Sequence, residues 1–130
     1  MKLLSLAVLF AALISVAKFN NVDFGTHSHA HTCENIGKQT LESPSGEYKA
    51  IIFSRNCGND TSVNTHVSIV RVEDALPDEN GNTFMAKHKA VPLNLRWTDE
   101  YQLQIAGVSV DSPDKQKTKA AGVQVTYSKS

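Results

Sequence analysis

Three histidines alternate near the start of the chain, at positions 27, 29 and 31. In an extended segment, alternate side chains lie on the same side. His27, His29 and His31 are therefore placed to share a Zn²⁺ or Cu²⁺ ion, since both metals accept neutral imidazole nitrogens. Short histidine-rich tracts are also found as solvated residues of flexible segments, without any cofactor. The tract therefore predicts either a metal site or a solvated, flexible segment.

Cys33 and Cys57 are the two cysteines of the chain. Thiols pair in oxidising compartments and stay reduced in the cytosol, so in an exported protein these two residues predict a disulfide. Closing this loop removes about 3.5 kcal/mol of unfolded-state entropy. Redox and metal pairs favour the close spacing Cys-x-x-Cys, which is absent here. We therefore expect a structural disulfide with no chemical role.

Residues that could support catalysis are poorly arranged in the sequence. Ser68 follows His66 by two positions and Asp60 is nearby, but two residues on one face of a strand do not imply a triad. Ser45 lies in a proline turn and lacks the Gly-x-Ser-x-Gly elbow of a nucleophile. His66 and His88 are expected to be strand residues with satisfied or exposed rings. The sequence predicts that the protein is not an enzyme.

The amino terminus has the pattern of an export signal. Lys2 precedes an apolar run over residues 3–14, and Ser15-Val16-Ala17 places small residues before a cleavage site after Ala17. The apolar run is shorter than the roughly 20 residues that a membrane-spanning helix needs. We therefore expect no stable membrane span after cleavage and a periplasmic or secreted location. The alternative is a membrane anchor formed by an uncleaved amino-terminal segment.

These features divide the chain into three parts. Residues 1–17 are predicted to be a signal peptide, residues 18–32 a flexible lead-in that contains the histidine tract, and residues 33–130 an antiparallel β domain. Thirteen basic residues balance thirteen acidic ones. Because no strong positive field results, we expect no binding of nucleic acid.

Apolar and polar residues alternate in several stretches, as in half-buried β-strands. These stretches are residues 91–97, 101–105 and 123–127. Residues 49–53 and 67–72 are richer in apolar side chains and predict central strands. Short polar turns separate the stretches, beginning with Ser43-Pro44-Ser45-Gly46. The predicted fold is all-β: a single antiparallel meander or small sandwich of about six or seven strands with one disulfide.

Short motifs follow one another in a fixed order over residues 33–127. They are Cys33, Ser43-Pro44-Ser45-Gly46-Glu47-Tyr48-Lys49-Ala50, Arg55-Asn56-Cys57-Gly58, Thr65-His66-Val67-Ser68-Ile69, Leu76-Pro77, Gly81-Asn82, Phe84, Trp97, Leu103 and Ile105. In this order they resemble a family of small exported bacterial proteins of unknown function. The resemblance implies an envelope or secreted location and no particular activity.

The chain departs from that family pattern at two places. Ser45 stands where the pattern has Asp, a turn substitution that should be tolerated, and Asn59-Asp60-Thr61 stands where Ala-Thr-Thr is usual. The Ser-Pro-x-Gly turn, followed by Trp97 and Leu103, also resembles one blade of a TolB-type β-propeller. That second resemblance suggests a binding surface.

Together these observations favour binding of another macromolecule, because a small β scaffold with loops needs no cofactor for that role. We expect the partner to be another envelope or secreted protein, with this chain acting as an envelope inhibitor or immunity protein. Two alternatives remain open: divalent metal binding through the histidine tract, and a structural role in the envelope.

Overall fold

The computed structural model describes residues 33–58 and 63–129. These residues form nine β-strands and no helix, so the predicted all-β fold is confirmed. The signal peptide and the lead-in predicted for residues 1–32 lie outside the described residues. The strands are β1 (Glu34–Glu42), β2 (Tyr48–Asn56), β3 (Asn64–Arg71), β4 (Phe84–Lys87), β5 (Asn94–Asp99), β6 (Gln102–Ala106), β7 (Lys115–Gln116), β8 (Lys119–Ala120) and β9 (Val123–Tyr127).

The strands are arranged in two sheets. The first sheet has the order β1-β2-β3-β4-β7 and is antiparallel throughout. The second has the order β5-β6-β9-β8, in which β6 and β9 are parallel and the other pairs antiparallel. The parallel pair needs a crossover, which residues 107–122 supply, whereas a simple meander has none. Strand number also exceeds the expected six or seven, because two-residue strands lie in the segment around Lys115 and Lys119.

The main core includes apolar side chains from both sheets. Strands β2 and β3 contribute Ala50, Val67 and Ile69 from one face of the first sheet, which we call its inner face. Strand β6 of the second sheet contributes Leu103 and Ile105. Each of these five residues is almost completely buried. The apolar density of residues 49–53 and 67–72 therefore correctly predicted the two central strands, while period-two alternation marked β5, β6 and β9.

The β1–β2 hairpin is closed at both ends. Its turn starts at Ser43, whose carbonyl oxygen accepts the N–H of Gly46 at 2.9 Å, and Gly46 has a φ of 75° that favours glycine. At the opposite end, the disulfide between Cys33 and Cys57 joins the residues just outside the strand pair Glu34–Asn56. The predicted disulfide is thus confirmed and holds the open end of the hairpin.

The opposite, outer face of the first sheet is covered by the β3–β4 loop, residues 72–83. Asn82 attaches this loop to β3 because its side-chain amide pairs with the backbone of Ile69. Asn82 Oδ1 accepts the N–H of Ile69 at 2.9 Å, and Nδ2 donates to the carbonyl oxygen of Ile69 at 2.8 Å. The Asn82 amide thus satisfies the backbone N–H and carbonyl groups of Ile69, as a neighbouring strand would, at a point where β4 no longer pairs with β3.

A hydrogen bond from a side chain to the backbone also joins the two sheets near β1. Trp97 Nε1 on β5 donates a hydrogen bond to the carbonyl oxygen of Leu41 on β1 at 3.0 Å. Over the described ranges, no helix has the length and hydropathy required to cross a membrane.

Candidate functional site

A polar cavity of about 240 Å³ opens on the outer face of the first sheet, beside the disulfide. Strands β2, β3 and β4 supply most of its wall, since every second residue of these strands points to this face. The volume is below that of a typical drug-sized site and suits a small group. The described lining residues are Arg55, Cys57, Asn64, His66, Asn80, Met85, Lys87 and His88.

His66 forms the buried part of this cavity, with only 3% of its surface exposed. The backbone N–H of Gly81 donates to His66 Nδ1 at 3.0 Å, and the imidazole stacks on Phe53 with ring centroids 5.2 Å apart. Because Nδ1 accepts a hydrogen bond, the neutral ring carries its proton on Nε2. The loop contact therefore selects the tautomer that offers an Nε2–H donor.

The pKa of His66 is lowered from 6.5 to about 4, and the largest cause is burial, which penalises the charged imidazolium. The positive charges of Arg55, Lys115 and Lys87 contribute to this lowering, and Asp114 acts in the opposite direction. His66 is consequently neutral at physiological pH, in a region where positive potential prevails.

Arg55 lies beside His66, and its side chain is only 10% exposed. Its Nη1 donates to Asn35 Oδ1 at 2.5 Å and to Asp78 Oδ1 at 2.9 Å. The backbone N–H of Arg55 donates to Asn64 Oδ1 at 2.7 Å, and Asn64 Nδ2 donates to the Arg55 carbonyl oxygen at 2.9 Å. These contacts hold the guanidinium group at the cavity wall.

Gly81 positions the loop that covers His66. A Cβ atom at this residue would lie 2.7 Å from the carbonyl oxygens of Val67 and Phe84, closer than real Cβ contacts. Lys115 Nζ donates to the Gly81 carbonyl oxygen at 2.7 Å. The backbone must therefore pass directly over the sheet, which is why its N–H reaches the imidazole.

A second feature is an open groove between the sheets, on the side where β1 and β5 lie. It consists of two adjoining hollows of about 480 and 210 Å³. None of the described residues that line it carries a charge. These residues are Gly37, Gln39, Thr40, Leu41, Ile52, Phe53, Ser54, Val63, Asn64, Thr65, Ala90, Val91, Pro92, Leu93, Asn94 and Leu95.

Exposed apolar side chains lie along this groove. Leu41 is 41% exposed and Val63 is 60% exposed. β1 and β5 are the terminal strands of the two sheets as described. Strand β1 has an irregular register between Ile36 and Gln39, whereas β5 pairs regularly with β6 from Asn94 to Trp97. The groove is therefore apolar and bordered by sheet edges.

His66 and Ser68, which were considered for catalysis, each have a separate hydrogen-bond partner in the β3–β4 loop. His66 and Ser68 share the outer face of β3, but His66 Nδ1 accepts the N–H of Gly81 and Ser68 Oγ accepts that of Asn82. Asp60 lies outside the described residues. So do His27, His29 and His31. Within residues 33–58 and 63–129, no group of three or more His, Cys, Asp or Glu side chains is placed to hold a metal ion.

The sequence predicts His66 to be an ordinary strand residue and gives no direct indication of the cavity. The signal available was the neighbouring strand β2, where Ile51 and Phe53 are apolar in addition to the inward-facing Ala50. A strand that is apolar on both faces is covered on both. The residue opposite Phe53, which is His66, is therefore buried.

The chain matches no protein-family model, and comparison with curated proteins and with solved structures finds no significant match. The resemblance to a family of exported bacterial proteins stays a prediction.

Proposed function

We propose that this protein is exported and binds another envelope or secreted protein, as an inhibitor or immunity protein does. The observation that most supports this proposal is the uncharged groove between β1 and β5, with Leu41 and Val63 exposed beside it. One residue in five of the chain is charged. An apolar surface free of charged lining residues is typical of the centre of a protein interface.

The groove favours an extended, uncharged segment of the partner. A segment that lies along β5 forms backbone hydrogen bonds with a sheet edge, as in recognition by strand addition. Its alternate side chains would contact Ile52, Leu93 and Leu95 at the base of the groove. A charged side chain there would lose its hydration without an opposite charge among the described lining residues.

The disulfide between Cys33 and Cys57 supports the exported location, since such bonds persist in the periplasm and outside the cell. We expect the intact mass of exported protein to lack residues 1–17 and to show the loss of two hydrogen atoms that a disulfide entails. Free thiols at both cysteines in exported material would contradict this part of the proposal.

The groove is tested by affinity capture from the envelope and secreted fractions of the source cell. Leu41→Lys and Val63→Lys each place a charge at the groove, and both residues are exposed enough to tolerate it. The Trp97 contact uses the backbone oxygen of Leu41, so Leu41→Lys preserves it. Thr126→Lys on the exposed side of β9 is the matched control.

We expect one captured protein to be lost with both groove variants and retained with Thr126→Lys. Hydrogen exchange of the captured complex should then show new protection of β5 amides. Equal capture by the groove variants and the control would reject the groove as the binding surface.

A further inference from the structure

We propose that the polar cavity around His66 is a binding site for a single carboxylate group. This site lies on the outer face of the first sheet, whereas the groove opens between the sheets on the side of β1 and β5. The inference is thus independent of the protein-binding function proposed above.

His66 directs an N–H donor into the cavity. Every fully buried side-chain nitrogen or oxygen in the described part of the protein has a hydrogen-bond partner. No described residue accepts a hydrogen bond from His66 Nε2, so this atom must keep accessible surface although the residue is 97% buried. The cavity that His66 lines supplies that surface. A solvent-accessible N–H donor that has no acceptor among the described residues favours an oxygen ligand.

The described lining of the cavity has cationic donors and lacks an anionic acceptor. Arg55 and Lys87 line the cavity with cationic groups, and among the described lining residues there is no carboxylate. The Arg55 guanidinium has five N–H donors, and its contacts with described side chains use Nη1 alone. The planar arrangement of the other donors matches the two oxygens of a carboxylate. The net effect of neighbouring charges on His66 is also positive.

The charge at the cavity favours a carboxylate over phosphate. Asp78 already pairs with Arg55 at 2.9 Å, which offsets much of its charge, and His66 is neutral at physiological pH. Lys87 is then the cation of the described lining that has no salt bridge to a described residue, and the Asp114 carboxylate accepts its backbone N–H at 2.7 Å. This charge balance suits a monoanionic group better than a dianion.

The experiment is a titration of the ¹⁵N-labelled exported protein, with its disulfide intact, followed through the His66 side-chain nitrogens and the Arg55 amide. Acetate is the probe for a free small carboxylate. The blocked peptide acetyl-Gly-Glu-Gly-amide is the probe for an acidic side chain of a protein. Inorganic phosphate and sodium chloride at matched ionic strength are run in parallel.

We expect saturable shifts with acetate, with the peptide or with both, and the responding probe identifies the source of the carboxylate. Binding should raise the pKa of His66, because the bound anion stabilises the imidazolium. Lys87→Gln should weaken the affinity about 3- to 10-fold through loss of one charge. Lys89→Gln, an exposed neighbour outside the described lining, should leave it unchanged.

Three results would overturn the proposal. They are shifts that sodium chloride reproduces, tighter binding of phosphate than of both carboxylate probes, and equal affinity in Lys87→Gln and Lys89→Gln. Lys87 is exposed at the end of β4, so Lys87→Gln should fold. A change in its affinity therefore reports on the cavity and not on unfolding.

Discussion

Gly81 donates its backbone N–H to Nδ1 of His66 over 3.0 Å, joining the β3–β4 loop to the outer face of the first sheet. One contact thereby fixes the path of the loop, the tautomer of the imidazole and the donor that faces the cavity. The role of this contact can therefore be tested by mutation and by a change of pH.

The protonation of His66 should make stability depend on pH. His66 binds a proton below about pH 6.5 in the unfolded chain but only below about pH 4 in the folded chain. Between these pH values, protonation therefore favours the unfolded state. The free energy of unfolding should therefore fall as pH drops from 6.5 to 4, by up to about 3 kcal/mol, and His66 should contribute no further change below 4. Urea titrations across this range measure the effect.

His66→Asn keeps an oxygen that can accept the Gly81 N–H but has no titrating ring, so this pH dependence should disappear. His88→Asn is the control, because His88 is exposed and its φ of 62° suits asparagine. A pH dependence equally large in His66→Asn and the native protein would show that another group causes it.

Gly81→Ala should destabilise the protein by about 3 kcal/mol, because the new Cβ meets backbone atoms of Val67 and Phe84 that cannot move independently. Gly37→Ala is the matched control: no atom lies within 4 Å of its added Cβ, and only its φ of 63° opposes the substitution. Its expected cost is about 1 kcal/mol. Chemical denaturation compares the two, and equal losses would contradict the close packing at Gly81.

Asn82→Asp should cost about 2 kcal/mol although it barely changes shape. Ile69 N–H and Thr83 Oγ1 both donate to Asn82 Oδ1, so the second oxygen of Asp would replace the Nδ2 donor and face the Ile69 carbonyl oxygen. Hydrogen exchange should show faster opening at Ile69. Asn94→Asp, at an exposed position on β5, serves as the control and should be nearly neutral.

Removal of the disulfide by Cys57→Ala, together with Cys33→Ala to avoid a free thiol, should destabilise the protein by about 2 to 4 kcal/mol. The bond closes the end of the hairpin opposite the Ser43 turn, so its loss releases both strand ends. Reductant should lower the Tm of the native protein to that of the variant and leave the variant unaffected. An unchanged Tm in the variant would mean that the hairpin is equally ordered without the bond.

The alternating histidines predict that the protein binds Zn²⁺ or Cu²⁺ and that binding weakens as pH falls below about 6.5, where imidazoles protonate. Replacement of His27, His29 and His31 together by Ala should abolish this binding and leave the Tm of the β domain unchanged. Calorimetry compares the triple variant with His88→Asn. Equal metal affinity in the triple variant and in His88→Asn would mean that the three histidines are solvated and do not hold the metal ion.

The local pattern of the sequence was enough to predict the disulfide and five of the nine described strands, which are β2, β3, β5, β6 and β9. Alternation at Leu93, Leu95 and Trp97 predicts a strand, because successive side chains of a strand point to opposite faces. Ser43 and Gly46 predict a turn, because turn preferences depend on residues only a few positions apart. Cys33 and Cys57 are the two cysteines of the chain, so in an oxidising compartment they have only one intramolecular pairing.

Only the tertiary structure decided which faces meet and which polar groups are buried together. The parallel pairing of β6 with β9 and the passage of Gly81 over His66 depend on packing between residues distant in sequence, which local alternation does not encode. His66 looks like any half-exposed strand histidine until the β3–β4 loop covers it. Its buried donor and its lowered pKa therefore come from the assembled fold, since desolvation and the charges of Arg55, Lys115 and Lys87 act through space.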